Sequence, residues 1–257
     1  MSGRAKKRFG QNFLQDRYYI EAILQHVRPS SDESLIEIGP GRGALSEPLG
    51  RLREDLIVVE LDRDLIAGLK DVLPNTATVF QGDALDFDFD QFSGPLFIVG
   101  NLPYNISTPL LFKLFELGSK VSSMVFMLQK EVVDRLAALS NTKQFGRLSV
   151  MAQYHCEIEK LIDVPPTAFH PRPKIDSAVV LLKPRQSHSV KAEALPVLSE
   201  LLIAAFGQRR KTLRNALSSL LDAQTLEALE INPSARAETL SVNDFVTCAN
   251  FIHRSRS

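Results

Sequence analysis

Residues 95–107 read Pro-Leu-Phe-Ile-Val-Gly-Asn-Leu-Pro-Tyr-Asn-Ile-Ser, an apolar run followed by an unusual turn. The run 95–99 is short, continuous and partly β-branched or aromatic, which is typical of a buried strand. The chain must turn soon after this run, because Pro103 fixes φ and lacks a backbone N–H donor. The turn presents a carboxamide, a backbone carbonyl and an aromatic ring, which belong to Asn101, Leu102 and Tyr104.

These three groups suit the exocyclic amine of a nucleobase or an amide. The Asn101 Oδ1 atom and the Leu102 carbonyl would accept the two N–H groups, and the Tyr104 ring would cover the base. An aromatic amine is a poor nucleophile because its lone pair is delocalised into the ring. Two tetrahedrally placed acceptors favour a pyramidal nitrogen whose lone pair points at an electrophile. The alternative is a plain strand-end turn, since Asn, Pro and Gly all favour turns.

The composition is that of an ordinary globular protein, with 257 residues, 44% hydrophobic and 23% charged. No apolar run approaches the ~20 residues of a membrane span, and no apolar segment follows the basic N-terminus as in a secretory signal. We therefore expect a cytoplasmic protein without membrane contact. The five histidines and the two cysteines, Cys156 and Cys248, show no metal-ligand spacing, which predicts buried reduced thiols and no metal.

Three further apolar runs, at residues 34–38, 56–59 and 77–80, come before the first stretch at intervals of about twenty residues. Each ends in glycine or polar residues. This spacing predicts an α/β fold with a doubly wound, Rossmann-like parallel sheet. Ligands of such sheets bind just beyond the carboxyl ends of the strands.

The residues at these strand ends fit an adenosine ligand. Gly39 and Gly41 allow a tight loop and close approach of a ligand to the backbone. Glu60 lies 21 positions after Gly39, near the ~20-residue offset at which a carboxylate meets ribose hydroxyls. Asp83, followed by Ala84, is suited to accept from an adenine amino group. Each feature alone also fits a plain β-turn or a solvated carboxylate, but their joint occurrence favours a nucleoside site.

The loop Gly-Pro-Gly-Arg-Gly at residues 39–43 lacks the third glycine of the G-x-G-x-x-G pattern, which disfavours a dinucleotide. An adenosine ligand without phosphate fits better. S-adenosylmethionine is such a ligand, and it would supply an electrophilic methyl group to the amine held at Asn101.

The pattern changes near residue 185, where a polar stretch, 186–189, precedes apolar residues at helical spacing. We expect two domains, residues 1–185 and a small helical domain of residues 186–257. The net charge is zero, but residues 183–257 hold ten Lys and Arg against seven Asp and Glu. One basic cluster lies at residues 4–8, and a second, expected to begin a helix, comprises Arg209, Arg210, Lys211 and Arg214. The second cluster can bind RNA phosphates or form a solvated helix face.

Seven motifs resemble the KsgA family of small-subunit ribosomal RNA adenine N6,N6-dimethyltransferases, which is related to the erythromycin-resistance methylases. The motifs are Gln11–Leu14, Glu37–Gly41, Val59–Asp62, Gly82–Ala84, Asn101–Ser107, Met127–Val132 and Phe169–Ser177. The resemblance implies that Asn12 and Leu14 contact the cofactor in a segment that closes over its methionine part. It also implies that Phe169 supplies a second stacking face opposite Tyr104. The expected catalytic set is then Asn101, Leu102, Tyr104 and Phe169, with Asn101 also touching the cofactor.

These observations predict an S-adenosylmethionine-dependent methyltransferase that dimethylates N6 of two adjacent adenines near the 3′ end of 16S rRNA. The RNA target is implied by the resemblance. We expect a monomer that acts on the small ribosomal subunit or its precursor in ribosome biogenesis. One alternative is an antibiotic-resistance adenine methylase of large-subunit rRNA. Another is a non-catalytic ribosome-assembly or transcription accessory factor, which the intact site residues disfavour.

Overall fold

The computed structural model describes residues 11–256, so the basic cluster at residues 4–8 lies outside the described residues. In chain order the strands and α-helices are β1 (Phe13–Leu14), α1 (Arg17–Leu24), β2 (Ser34–Ile38), α2 (Ser46–Leu52), β3 (Ile57–Glu60), α3 (Arg63–Val72), β4 (Thr78–Gln81), β5 (Leu96–Asn101), α4 (Ser107–Glu116), β6 (Val121–Gln129), α5 (Lys130–Leu136), α6 (Arg147–His155), β7 (Cys156–Val164), β8 (Phe169–His170), β9 (Ser177–Pro184), α7 (Leu195–Gly207), α8 (Leu213–Ala216), α9 (Ala223–Ala228) and α10 (Val242–Arg256).

Seven strands form one sheet in the order β4-β3-β2-β5-β6-β9-β7. Strands β4, β3, β2, β5 and β6 are parallel, and β9 pairs antiparallel with β6. The predicted α/β class and the four predicted strands are therefore confirmed. The strand order reverses between β2 and β5, which is the position where open α/β sheets bind their ligands.

The central strands form because their apolar residues are covered on both faces of the sheet. Leu35, Ile36 and Ile38 of β2 are buried, as are all four residues of β3. The ends of β2 and β5 lie close together. A Cβ atom at Gly100 would lie 2.4 Å from the Ile38 carbonyl oxygen, so glycine is needed at this position of β5.

Helices α1 and α3 begin at aspartate N-caps. Asp16 accepts from the Tyr18 amide at 3.0 Å at the start of α1, and Asp62 accepts from the Asp64 amide at 3.1 Å at the start of α3. Such caps satisfy amide donors that the helix leaves without a partner. Strand β1 lies before α1 and pairs antiparallel with β8, so that Leu14 is opposite Phe169.

The chain divides into two compact units. The first runs to Val133 and includes Glu157–Pro184, and it contains the whole seven-stranded sheet except the first residue of β7. The second comprises Asp134–Cys156 and the chain from Arg185 onwards. This division differs from the expected boundary near residue 185, because the helical segment 134–156 belongs to the second unit.

The second unit is helical apart from Cys156 and its connecting segments, with α6, α7 and α10 packed together. The predicted linker, residues 186–189, is attached to it: the His188 ring stacks on Tyr154 with centroids 4.4 Å apart. Helix α7 ends at Gly207 and α8 begins at Leu213. The basic cluster therefore lies mainly in a turn between two helices, and the expectation that it begins a helix is wrong for residues 208–212.

Both cysteines, Cys156 and Cys248, are buried free thiols, as predicted, and burial raises the pKa of each to about 12. Among residues 11–256, no group of three or more His, Cys, Asp and Glu side chains could hold a metal ion. None of the described helices is long and apolar enough to cross a membrane.

Candidate active site

A pocket opens at the carboxyl ends of β2, β3, β4 and β5. It gathers ten of the eleven residues predicted for catalysis and cofactor binding. These are Asn12, Leu14, Gly39, Gly41, Glu60, Asp83, Ala84, Asn101, Leu102 and Tyr104. Residues from five sequence motifs therefore meet at the topological switch point of the sheet, and four of these motifs lie at the carboxyl ends of parallel strands.

Glu60, the last residue of β3, is only 6% exposed. Its carboxylate accepts from the Gly41 amide at 3.0 Å and from the Asp62 amide at 2.7 Å. Burial raises the pKa of Glu60, and these backbone hydrogen bonds partly oppose that rise. The two bonds fix the orientation of the carboxylate, and its remaining lone pairs can accept from a ribose diol.

Glu37 of β2 also lines the pocket, although the sequence interpretation assigned it no role. It is 1% exposed, and burial raises its pKa to about 8. Its Oε2 atom has no hydrogen-bond partner of good geometry among the described residues, and the nearby Ser46 hydroxyl opposes the rise in pKa only in part. Burying a carboxyl oxygen without a hydrogen-bond partner costs free energy of folding. A ligand with polar groups could supply the missing partner in this pocket. The donor and acceptor set of this pocket therefore suits S-adenosylmethionine.

The loop after β4 is held by its own side chains and by α4. Asp83 Oδ1 accepts from the Leu85 amide at 2.9 Å. Lys113 of α4 donates through Nζ to the carbonyls of Leu85 and Phe87, at 2.6 and 2.7 Å. Charged donors on backbone carbonyls make strong hydrogen bonds, so Lys113 fixes the loop that carries Asp83 into the pocket. The sequence offered no signal for this lysine.

Asn101 is oriented by a backbone group 89 positions earlier in the chain. Its Nδ2 atom donates to the Asn12 carbonyl at 3.1 Å. Since the amide nitrogen is used in this way, the Oδ1 atom remains as the acceptor of the carboxamide. The neighbouring Leu102 amide donates to the Met127 carbonyl at 3.1 Å, which anchors the next peptide to the end of β6.

Tyr104 lines the pocket, and its hydroxyl is 2.7 Å from the Ser177 hydroxyl. Phe169, the predicted second stacking face, is not among the lining residues. It is 3% exposed and belongs to the hydrophobic core of the first unit. Its backbone pairs with Leu14 in the short antiparallel ladder. Its role as a second stacking face opposite Tyr104 stays a prediction.

Residues 11–14 form a strap along the edge of the pocket, and each of the four has its own attachment. Gln11 Nε2 donates to Asp62 Oδ2 at 2.9 Å, and Asn12 accepts from Asn101. Leu14 pairs with Phe169 in the short antiparallel ladder.

Phe13 attaches the strap to the glycine loop. The Arg42 guanidinium lies 4.5 Å from the centroid of the Phe13 ring. A Cβ atom at Gly41, where φ is +60°, would lie 3.0 Å from that ring. Glycine at this position therefore permits both the loop conformation and the approach of the strap.

A family model described as ribosomal RNA adenine dimethylase matches residues 2–254 of this chain. The chain belongs to the ribosomal RNA adenine dimethylase family. It is 50% identical, over 259 aligned positions, to the ribosomal RNA small subunit methyltransferase A of Vibrio atlanticus (strain LGP32). That alignment covers 99% of this chain and 96% of the relative. The corresponding protein of Proteus mirabilis (strain HI4320) is 51% identical, covering 96% of this chain and 93% of the relative.

Solved structures share the fold of this dimethylase family member. A dimethyladenosine transferase from Plasmodium falciparum superposes with a TM-score of 0.82 at 25% identity, covering 95% of this chain and 98% of that one. The 23S rRNA methyltransferase ErmE gives a TM-score of 0.73 at 22% identity, covering 94% and 100%. The similarity to ErmE shows a shared fold and no more.

In this dimethylase family member, the predicted basic cluster of residues 209–214 lies in the second unit. Arg209 donates through one guanidinium nitrogen to the carbonyls of Lys143 and Phe145, at 2.7 and 3.1 Å. It therefore fixes the loop before α6. All four members of the cluster, including Arg210, Lys211 and Arg214, are exposed at the surface of the same unit.

Proposed function

We propose that this protein transfers methyl groups from S-adenosylmethionine to N6 of two adjacent adenines near the 3′ end of 16S rRNA. Membership of an adenine dimethylase family establishes the reaction class and the methyl donor. The names of the relatives at about 50% identity support the small subunit as the target. They disfavour the large-subunit alternative, since the ErmE likeness extends only to the fold.

Different residues of the pocket would bind different parts of the cofactor. Glu60 would accept from the ribose hydroxyls, and Asp83 from the adenine amino group. Gly39 and Gly41 leave room for the ligand against the backbone, and the strap of residues 11–14 closes the edge. When bound, S-adenosylmethionine supplies an electrophilic methyl group.

The observation that carries the proposal is the hydrogen bond from Asn101 Nδ2 to the Asn12 carbonyl. It sets the carboxamide with Oδ1 as an acceptor before any base arrives. Asn101 Oδ1 and the Leu102 carbonyl can then hold the two N–H groups of an adenine amine. Preorganised acceptors of this kind stabilise the developing positive charge on the nitrogen and require no titrating base.

The proposal extends to the oligomeric state, the cellular location and the RNA contacts of the protein. We propose that the protein acts as a monomer in the cytoplasm, on the small ribosomal subunit or its precursor. Stacking and backbone contacts must offset the few kcal/mol needed to extrude an adenine from its neighbours. The exposed residues Arg210, Lys211 and Arg214 would bind RNA phosphates.

Asn101→Ala tests the chemistry. With saturating S-adenosylmethionine, we expect single-turnover methylation of unmethylated small subunits to fall ~10²–10³-fold, because one preorganised acceptor is lost. Radiolabelled methyl groups and nucleoside analysis would identify the product. Particle binding should be retained, and large subunits should remain unlabelled by the unmodified protein.

Asn101→Asp is the matched variant, since it keeps an oxygen at Oδ1 and replaces the Asn12-bonded nitrogen with a second oxygen. We expect it to lose activity as well, because two oxygens would then face each other. A near-normal single-turnover rate for Asn101→Ala would refute the mechanism.

A further inference from the structure

The hydroxyl groups of Tyr104 and Ser177 lie 2.7 Å apart, although the two residues are 73 positions apart in the chain. We propose that Ser177 is a positioning residue that fixes the position of the Tyr104 ring, and thereby the place of the target adenine. This role rests on the proposed adenine chemistry, because the ring position matters only if a base lies against it.

Ser177 is an immobile anchor. It is fully buried, and it is the first residue of β9. Its backbone is opposite Gln129 in the β6–β9 ladder. The adjacent Asp176 carbonyl accepts from the Lys130 amide at 3.0 Å. The Ser177 hydroxyl is therefore held by the seven-stranded sheet itself.

Tyr104, by contrast, lies in the turn between β5 and α4. Its carbonyl accepts from the Ser107 hydroxyl at 3.1 Å, which holds the backbone end of the residue. The hydrogen bond to Ser177 holds the phenol end. The phenol oxygen lies on the long axis of the ring, so fixing both ends of the residue sets the direction in which the ring projects from the backbone.

The position of the Tyr104 ring is important because this ring lines the same pocket as Asn101, whereas Phe169 is buried in the core of the first unit. An adenine against Tyr104 takes its orientation from that ring, while its amine must reach Asn101 Oδ1. Displacement of a reacting group by about 1 Å can reduce a rate ~10²-fold. Stacking itself tolerates phenylalanine, since that ring has a similar π-face. Tyr104→Phe therefore removes the anchor and leaves the stacking face.

The test is a double-mutant cycle of Ser177→Ala and Tyr104→Phe, with unmethylated small subunits as substrate. Each single variant should lower the single-turnover rate at saturating particle about 3- to 10-fold, the worth of one net hydrogen bond. The double variant should be no slower than either single variant, because both remove the same bond. The KM for S-adenosylmethionine should not change.

Ser122→Ala is the control for loss of a hydrogen-bonded serine hydroxyl in the same sheet. The Ser122 hydroxyl donates to the Leu96 carbonyl at 3.1 Å, near the start of β6. We expect this variant to lose some thermal stability and to keep the unmodified rate.

Additive effects in the cycle, an altered KM for the cofactor, or an unmodified rate in Tyr104→Phe would overturn the positioning role. Should Ser177→Ala fail to fold, Tyr104→Phe alone decides, since it breaks the same bond from the turn. Failure of the unmodified protein to methylate the particle would instead overturn the proposed function. The two failures are therefore distinguishable.

Discussion

Glu37 and Glu60 place two buried carboxyl groups in one pocket, and the charge of Glu60 adds to the effect of burial on Glu37. With a pKa of about 8, Glu37 keeps its proton at neutral pH in the folded protein. In the unfolded chain a glutamate loses its proton near pH 4.3. The folded state therefore binds more protons between these two values, and stability must fall as the pH rises through that range.

Glu37→Gln should remove this pH dependence. Relative to the variant, the unmodified protein should lose on the order of 3–5 kcal/mol of stability between pH 4.5 and pH 8. Denaturant unfolding at several pH values measures the difference. Glu47→Gln, at a half-exposed position of α2, is the control and should show no such trend. A constant difference between Glu37→Gln and the unmodified protein at all pH values would show that Glu37 is ionised when buried.

At the scale of elements, the strap of residues 11–14 connects parts of the site that are far apart in the chain. Phe13 contacts the glycine loop, and Asn12 orients Asn101. We expect Phe13→Leu to weaken S-adenosylmethionine binding about 3- to 10-fold, because the strap loses its aromatic contact with Arg42 and Gly41. Calorimetric titration of the cofactor measures this effect.

Phe115→Leu is the matched control for Phe13→Leu. Phe115 is 3% exposed in α4 and is not among the pocket-lining residues. Both variants should lose stability through imperfect packing. Equal cofactor affinity in the two variants would show that the strap does not contribute to binding.

Sequence patterns predicted strands β2, β3, β4 and β5. Strands β2, β3 and β5 are rich in buried apolar residues, because helices or loops cover both faces of a parallel sheet. Strand β7 was not predicted, because its polar and apolar residues follow no regular alternation and only its two end residues are buried. No local sequence feature indicates that the helical segment 134–156 belongs to the second unit, because this assignment depends on contacts between residues that are distant in the sequence.

In the site, too, features set by strand order could be predicted, and contacts between distant residues could not. Strand order alone brings Glu60, Asp83 and Asn101 together, so their convergence was predictable from the four strand ends. The pairing of Phe169 with Leu14 joins residues distant in the chain, which the sequence does not reveal. Lys113 and Ser177 were missed because each acts across more than twenty positions on a neighbouring element.

For the whole molecule, the net charge is zero, but the charged residues are distributed unevenly along the chain. RNA binding depends on local exposed cations, since each phosphate contact releases counterions. In the second unit, all four members of the cluster are exposed, but Arg209 also donates to two backbone carbonyls. The four members of the predicted cluster should therefore behave differently when they are replaced.

Replacing Arg210, Lys211 and Arg214 together by Gln should weaken binding to the small subunit and reduce the slope of log affinity against log salt by about 2–3, from ~0.7–0.9 for each lost phosphate contact. Cofactor affinity should stay constant. Arg209→Gln should instead lower thermal stability, because the carbonyls of Lys143 and Phe145 lose their donor. The control with equal charge change replaces Arg51, Arg63 and Lys70, exposed residues of the first unit. If the two triple variants show the same salt slope, the cluster in the second unit is a solvated surface and RNA is bound elsewhere.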